Sequence, residues 1–108
     1  MTDQTSLLES EREGERVVIR LGGEIDLSNV ESLEAQIERA IVNAEGVVID
    51  LSAIEFIDSS GLRLLKRIST STDGKASLLV VAPPGSIARS VLDVSRMTDE
   101  LAVQDAPG

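Results

Sequence analysis

Near the amino terminus, hydrophobic residues alternate with polar ones, which is typical of strands with one buried face. In residues 7–24 this alternation is clearest at Val17, Ile19 and Leu21, and Gly14 interrupts the segment. A glycine between two alternating stretches is typical of a turn. We therefore predict that the domain opens with a β-hairpin.

The hydrophobic spacing then changes to the helical steps of three and four residues. The positions that follow this spacing are Val30, Leu33, Ile37, Ala40 and Ile41. They predict an amphipathic helix whose outer face carries Glu34, Glu38 and Arg39. Ser28 and Glu31 have the spacing of a capping box at its start.

The middle of the chain predicts two buried strands with a helix between them. Residues 47–51 are apolar except for Asp50, as expected for a central strand that is covered on both faces of a parallel sheet. A helix is predicted from about residue 60 to 69. A second strand follows at residues 76–82 and ends at two prolines.

The last part of the chain predicts a third helix and an edge strand. The helix is indicated by the apolar residues Ile87, Val91, Leu92 and Val94, and the strand by the segment ELAVQ. The element order is β-β-α-β-α-β-α-β. It predicts an α/β fold with a mixed sheet and right-handed crossovers. We expect a single domain over residues 1–108, with ragged ends at about 1–5 and 105–108.

The composition excludes several classes of function. The 19 acidic and 10 basic residues give a net charge of −9, which repels nucleic acid. No targeting segment or apolar run long enough to span a bilayer is visible, so we expect a cytoplasmic protein without a membrane partner. The chain contains no Cys and no His, which removes the usual hydrolytic bases and transition-metal ligands. We predict no metal site and no cofactor.

The segment FIDSSGL places an acid, two serines and a glycine where a helix is predicted to begin. A helix N-cap needs only one such side chain, which contributes about 1 kcal/mol. Gly61 in the first turn costs about 0.5 to 1 kcal/mol, and access for another molecule to the neighbouring hydroxyl is one explanation for it. In α/β sheets, functional residues gather in loops at the carboxyl ends of strands. We expect GEIDLS and FIDSSG to be such loops.

A serine at a helix start is also a suitable phosphorylation site, because free backbone N–H groups and the helix dipole accommodate an anion. Phosphate adds about −1.5 to −2 units of charge beside Asp58. At an effective dielectric constant of about 20, two unit charges about 4 Å apart repel by roughly 4 kcal/mol. A partner docked over the serine would therefore be displaced.

These motifs together resemble a known family. The stretches RLGGEIDLSNVESL, VVIDLSAIEFIDSSGL and ASLLVVAPPGSIARSVLDV occur in the order found in STAS domains, specifically those of bacterial anti-sigma factor antagonists. The resemblance covers residues 17–103. Each motif alone is a weak signal, but their order and the DSSG segment at a helix start are fairly specific.

The resemblance implies a partner switch in transcription regulation and stress response. In that family the first serine of the motif, here Ser59, is phosphorylated by the anti-sigma factor, a serine kinase that uses ATP. The unmodified protein holds the anti-sigma factor and frees a sigma factor, phosphorylation releases the complex, and a phosphatase restores binding. The protein is then a substrate and not an enzyme.

The same matching places Asp26 and Asp58 beside the acceptor on the docking surface, together with Ser60 and Gly61. Arg63, Lys66 and Arg67 form a basic face on the predicted second helix. Oppositely charged patches steer association, so these three residues are candidate partner contacts. All of these residues also have structural explanations. The acids and serines are explained as turn, cap or first-turn residues, and the three basic residues as solvated surface charges.

Two other functions and a scaffold remain as alternatives. A phosphorelay receiver also alternates strands and helices, and Asp50 would be its acceptor, but the chain lacks an acidic pair after the first strand and a lysine ending a late strand. Asp50 is otherwise a polar strand end. A serine hydrolase is disfavoured because FIDSSG is not a nucleophile elbow and no histidine is present. A STAS scaffold without phosphorylation is the third alternative.

Overall fold

The computed structural model describes residues 6–72, 77–97 and 101–105. Within these residues, eight elements follow one another in the predicted order, which confirms the α/β class with a mixed sheet. The elements are β1 (Ser6–Glu13), β2 (Arg16–Ile25), α1 (Val30–Ala40), β3 (Gly46–Ile57), α2 (Ser59–Thr72), β4 (Ser77–Val81), α3 (Ile87–Val94) and β5 (Val103–Gln104).

The five strands form one sheet in the order β1-β2-β3-β4-β5. β1 pairs antiparallel with β2, and Gly14 in the turn between them has a φ of 65°, which favours glycine. This confirms the predicted hairpin. All other pairs are parallel, and β3 is central as predicted. The two-residue β5 confirms the edge strand; the first residue of ELAVQ lies outside the described residues.

The two faces of the sheet bury different sets of side chains. The larger cluster contains every second residue of the central strands, such as Val17 and Val47, and the apolar faces of the three helices. Intervening residues point to the opposite face. There Val18, Val48 and Val81 form a small cluster with Leu79 packed against it. Burial on both faces explains why residues 47–49 are continuously apolar.

β3 is longer than the sequence predicted, because it continues past residue 51 to Ile57. Its pairing with β2 shifts register twice, between Arg20 and Gly22 and between Gly23 and Glu24. Such irregularities interrupt the period-two alternation of a strand, so buried positions fall at Leu51, Ile54 and Ile57. The expectation that GEIDLS and FIDSSG are loops throughout is therefore wrong. Their first residues belong to the strands.

The helices follow the predicted spacing, with local differences. Val30, Leu33 and Ile37 are buried on α1, as predicted. α2 begins at residue 59 and ends at residue 72, so it is longer than the predicted helix. On α3 the buried residues are Ala88 and Leu92. Ile87 and Val94, two of the apolar residues that indicated this helix, are instead 49% and 86% exposed. Within the described chain, no helix combines the length and the apolar character needed to cross a membrane.

Candidate functional site

The two loops that carry the sequence motifs lie side by side. β2 and β3 are parallel neighbours whose last paired residues are Ile25 and Ile57. The N–H of Asp58 donates a hydrogen bond to the carbonyl of Ile25 over 3.2 Å. The carboxyl ends of the two strands therefore place Asp26 and Asp58 at the same end of the sheet.

Asp58 caps helix α2. Its Oδ1 accepts hydrogen bonds from the backbone N–H groups of Ser60 at 2.8 Å and Gly61 at 3.2 Å, and its carbonyl accepts from the N–H of Leu62 at 3.1 Å. These are the contacts of an N-cap residue. The capping interpretation of this segment is thus correct for Asp58, and it leaves both serine hydroxyls without a capping role.

Ser59 is the first residue of α2, and its side chain is exposed. Its hydroxyl makes no hydrogen bond to any residue that the structure describes. Another protein can therefore reach the Ser59 oxygen without first breaking an internal contact. Ser60 differs from it, because only 7% of that residue is exposed.

Gly61 serves the packing of the helix onto the sheet. A Cβ at this position would lie 2.5 Å from Cγ1 of Ile57 and 2.9 Å from Cγ2 of Ile25. The explanation that this glycine gives a partner access to the serine is therefore wrong, since the missing side chain faces inward. Gly61 begins a buried stripe with the spacing of a helix, which continues at Leu64, Leu65 and Ile68.

The loop that begins at Asp26 is closed by its own polar side chains. Oδ1 of Asp26 accepts hydrogen bonds from the N–H of Ser28 at 2.9 Å and from its hydroxyl at 2.5 Å. Asn29 accepts from the N–H of Asp26 and donates to the carbonyl of Glu24. The predicted capping box of Ser28 and Glu31 does not form, because Ser28 bonds to Asp26 and the helix begins one residue after Asn29.

The three basic residues of α2 are exposed, but they differ in their contacts. Arg67 forms a two-pronged ion pair with Glu34 of α1, with N–O distances of 2.9 to 3.2 Å. The hydrogen bond to Glu34 is the main reason that the pKa of Arg67 lies above its ordinary value. Lys66 lines the same depression as this ion pair. Arg63 has no ion pair with any described residue.

A small cleft runs beside the start of α2. Of the predicted residues, the structure brings Ser60, Arg63 and Arg67 to this cleft, together with Leu27, Val30 and Glu31. Sequence reasoning missed Leu27, which is 75% exposed in the Asp26 loop. Its signal was an apolar residue between two polar loop residues, where neither a strand nor a helix period requires one.

Asp50 lies within β3 and not at its end. It pairs with Arg20 on one side and Val81 on the other. Its Oδ1 accepts hydrogen bonds from the N–H and the hydroxyl of Ser52, at 2.9 and 2.6 Å. The strand-end placement that a receiver acceptor requires is therefore absent for this aspartate, and the prediction that Asp50 ends its strand is wrong.

Comparison with known proteins agrees with the motifs. Residues 8–106 match the STAS domain family. The anti-sigma-F factor antagonist RsfB of Mycobacterium tuberculosis is 41% identical over 73 residues, which are 67% of this chain and 59% of that protein. This chain thus matches little more than half the length of RsfB. The anti-sigma F factor antagonist of Lysinibacillus sphaericus is 31% identical over 103 residues, with 87% and 88% of the two chains covered.

A solved structure shares both the fold and part of the sequence. The anti-sigma factor antagonist SpoIIAA in its unphosphorylated form superposes with a TM-score of 0.73 at 28% identity, covering 94% of this chain and 89% of that one. Bacillus SpoIIAA in its phosphorylated form superposes with a TM-score of 0.68 at 28% identity, covering 94% of this chain and 92% of that one. With the family match over nearly its whole length, the chain belongs to the STAS domain family.

Proposed function

We propose that this protein is an anti-sigma factor antagonist, a binding protein and not an enzyme. The unphosphorylated form holds an anti-sigma factor kinase and thereby frees a sigma factor. Phosphorylation of Ser59 releases the kinase, and a phosphoserine phosphatase returns the protein to its binding form. The relatives named as anti-sigma factor antagonists and the two phosphorylation states of SpoIIAA support this proposal.

The observation that carries the proposal is the exposed hydroxyl of Ser59. It stands at the first position of α2, while the neighbouring Asp58 accepts from the N–H groups of Ser60 and Gly61. A phosphorylated side chain at this position extends into solvent, so the modified protein keeps its fold. The switch then acts on the partner and not on the stability of the domain.

The chemical step requires nothing from this chain except the hydroxyl. Oγ of Ser59 attacks the γ-phosphorus of ATP, the bond between that phosphorus and the β,γ-bridging oxygen breaks, and ADP leaves. The hydroxyl proton passes to a base of the kinase. The phosphatase reverses the modification by transferring the phosphoryl group to water.

Release follows from charge. The phosphoryl group adds about −1.5 to −2 units of charge to the docking surface, where it repels a carboxylate of the bound partner. Repulsion of roughly 4 kcal/mol between unit charges about 4 Å apart corresponds to nearly a thousandfold in affinity. Solvent and salt reduce this value, and we expect a loss of at least about tenfold.

The direct test is to incubate the protein with candidate anti-sigma factor kinases and ATP and to locate any phosphate by mass spectrometry. We expect one phosphate, on Ser59. Ser59→Ala should abolish incorporation and bind the kinase continuously, whereas Ser59→Asp should bind it at least about tenfold more weakly. Binding is measured by isothermal titration calorimetry.

Ser10→Ala is the matched control, because Ser10 is an exposed serine of β1. It should leave both phosphate incorporation and kinase binding unchanged. If Ser59→Ala and Ser59→Asp bound with equal affinity, the switch would be refuted. Binding without any phosphate transfer would instead identify a STAS scaffold.

A further inference from the structure

At the start of α2, two of the backbone N–H groups that a helix terminus usually offers an anion are already occupied. An anion at a helix N-terminus normally binds the free N–H groups of the first turn. Here Asp58 already accepts from the N–H groups of Ser60 and Gly61. The expectation that free N–H groups accommodate phosphate on Ser59 therefore fails for these two donors. A phosphate at residue 59 can therefore use a further partner.

Arg63 is placed to be that partner. It follows Ser59 by four residues on the same helix, and both side chains are exposed. Residues at this spacing are neighbours on a helix surface, with Cβ atoms about 5 to 6 Å apart. The anion precedes the cation along the helix, which is the favourable orientation for such a pair. Guanidinium groups bind phosphate through two parallel hydrogen bonds.

The contacts of the two arginines on this face support the choice of Arg63. Arg67 is two turns from Ser59 and is held by Glu34. Arg63 makes no hydrogen bond or ion pair within the described part of the chain. Its guanidinium can thus turn towards residue 59 without losing an existing contact.

Arg63 also lines the cleft beside the exposed Leu27, with Glu31 and Arg67 as the other charged residues of that cleft. In the unmodified protein its positive charge is therefore open to a carboxylate of a bound partner. A phosphate on the same helix would compete for this charge. Modification then acts in two ways, because it adds negative charge and removes a cationic contact.

We propose that Arg63 binds phosphoserine 59 within the same helix and is thereby withdrawn from the docking surface. This inference rests on the proposed phosphorylation of Ser59. It predicts that part of the loss of affinity on phosphorylation comes from Arg63, in addition to the repulsion by the phosphate itself.

The pairing is tested without any kinase, in full-length protein that carries phosphoserine at position 59 by genetic encoding. The second pKa of the phosphate, ordinarily about 6, is measured by phosphorus NMR titration. A nearby guanidinium favours the dianion, so Arg63→Gln should raise this pKa by about 0.5 units relative to the unsubstituted phosphoprotein. Arg63→Lys, which keeps the charge without the fork, should raise it by less.

Arg39→Gln is the matched control. It removes one exposed arginine at the far end of α1, so it changes the net charge equally and should leave the phosphate pKa unchanged. Circular dichroism establishes that each variant is folded. The same phosphate pKa in Arg63→Gln as in the unsubstituted phosphoprotein would overturn the proposed pairing.

A binding measurement tests the second half of the inference. In the unphosphorylated protein, Arg63→Gln should weaken kinase binding about threefold to tenfold, and phosphorylation of this variant should then cost a smaller factor in affinity than in the parent. An equal factor in both would overturn the withdrawal of Arg63. If phosphorylation changed neither affinity, the switch proposed above would fail while the NMR result on the pairing would stand.

Discussion

The loops after β2 and β3 begin with the same short pattern, an aspartate followed two residues later by a serine. In each, Oδ1 of the aspartate accepts a hydrogen bond from the N–H of that serine. In the first loop Ser28 also donates its hydroxyl to Asp26. In the second loop Oδ1 of Asp58 accepts instead from the N–H of Gly61.

The two loops differ in the element that comes after the aspartate. After Asp58 the helix begins at once, so Oδ1 of the carboxylate caps the first turn and the intervening Ser59 faces solvent. After Asp26 three loop residues precede α1, and the intervening residue is the exposed Leu27. One loop therefore presents a hydroxyl and the other an apolar side chain. A local motif defines the hydrogen bond of its aspartate, while the next element along the chain determines which group is available to a partner.

The largest effect on stability is expected at Gly61, where the start of α2 packs against the sheet. Gly61→Ala introduces a Cβ 2.5 Å from Ile57 and 2.9 Å from Ile25. Overpacking costs about 1 to 3 kcal/mol, and the better helix propensity of alanine recovers part of it. We expect the free energy of unfolding in urea to fall by about 2 kcal/mol.

Ser59→Ala is the control for this substitution, because it lies in the same turn of α2 with its side chain in solvent. It should change stability by no more than about 0.5 kcal/mol. If Gly61→Ala were as stable as the parent, the close approach of the helix to β2 and β3 would be contradicted.

An intermediate effect is expected from the two aspartates. Asp58→Ala leaves two first-turn N–H groups without their acceptor and should lower the free energy of unfolding by about 1 kcal/mol, whereas Asp58→Asn should recover most of it. Asp26→Ala frees loop groups that water can reach, so it should cost no more than about 0.5 kcal/mol. Urea denaturation measures all three. Equal losses for the two alanine variants would show that the second aspartate is not a specific cap.

The smallest effect is expected at the opposite end of the sheet. The pKa of Glu45 is raised above its ordinary value of 4.5, first by its hydrogen bond to Glu15, then by repulsion from that carboxylate and by desolvation. The folded protein therefore binds a proton there more readily than the unfolded chain. Stability should rise as the pH falls towards 4.5 and decrease as the pH increases through the raised pKa.

Glu45→Gln removes this dependence. Its thermal midpoint should vary less with pH above 4.5 and should lie slightly above that of the parent at pH 7. Glu55→Gln removes an exposed acid from the other end of β3 and should keep the pH dependence of the parent. A steeper profile for Glu45→Gln would contradict the raised pKa.

The sequence predicted the element order because most elements contain a stretch with a clear hydrophobic period or an apolar run. The step of two at Val17, Ile19 and Leu21 and the helical spacing at Leu33 and Ile37 are properties of the chain itself. They identified the hairpin and the helices, whereas the central strand was identified by the apolar run at residues 47–51. The prediction failed in the second half of β3, because two register shifts against β2 interrupt the alternation there.

The candidate site was predicted only in part, because some of its features depend on contacts between segments that are distant in the sequence. The DSSG segment indicated a helix start and an acceptor serine, and Asp58 and Ser59 lie there. The ion pair between Arg67 and Glu34 joins α2 to α1, and the sequence pattern of neither helix predicts it. The role of Gly61 also depends on two strands that approach it from elsewhere in the chain.

The sequence by itself determined the alternation of strands and helices, the absence of histidine and cysteine chemistry, and the position of the DSSG serines at a helix start. Those properties depend on residue type and on spacing along the chain. Only the tertiary structure decided which serine hydroxyl is exposed, why residue 61 is a glycine, and which arginine of α2 is without an ion pair among the described residues. Those properties depend on which atoms from distant segments occupy the space around each side chain.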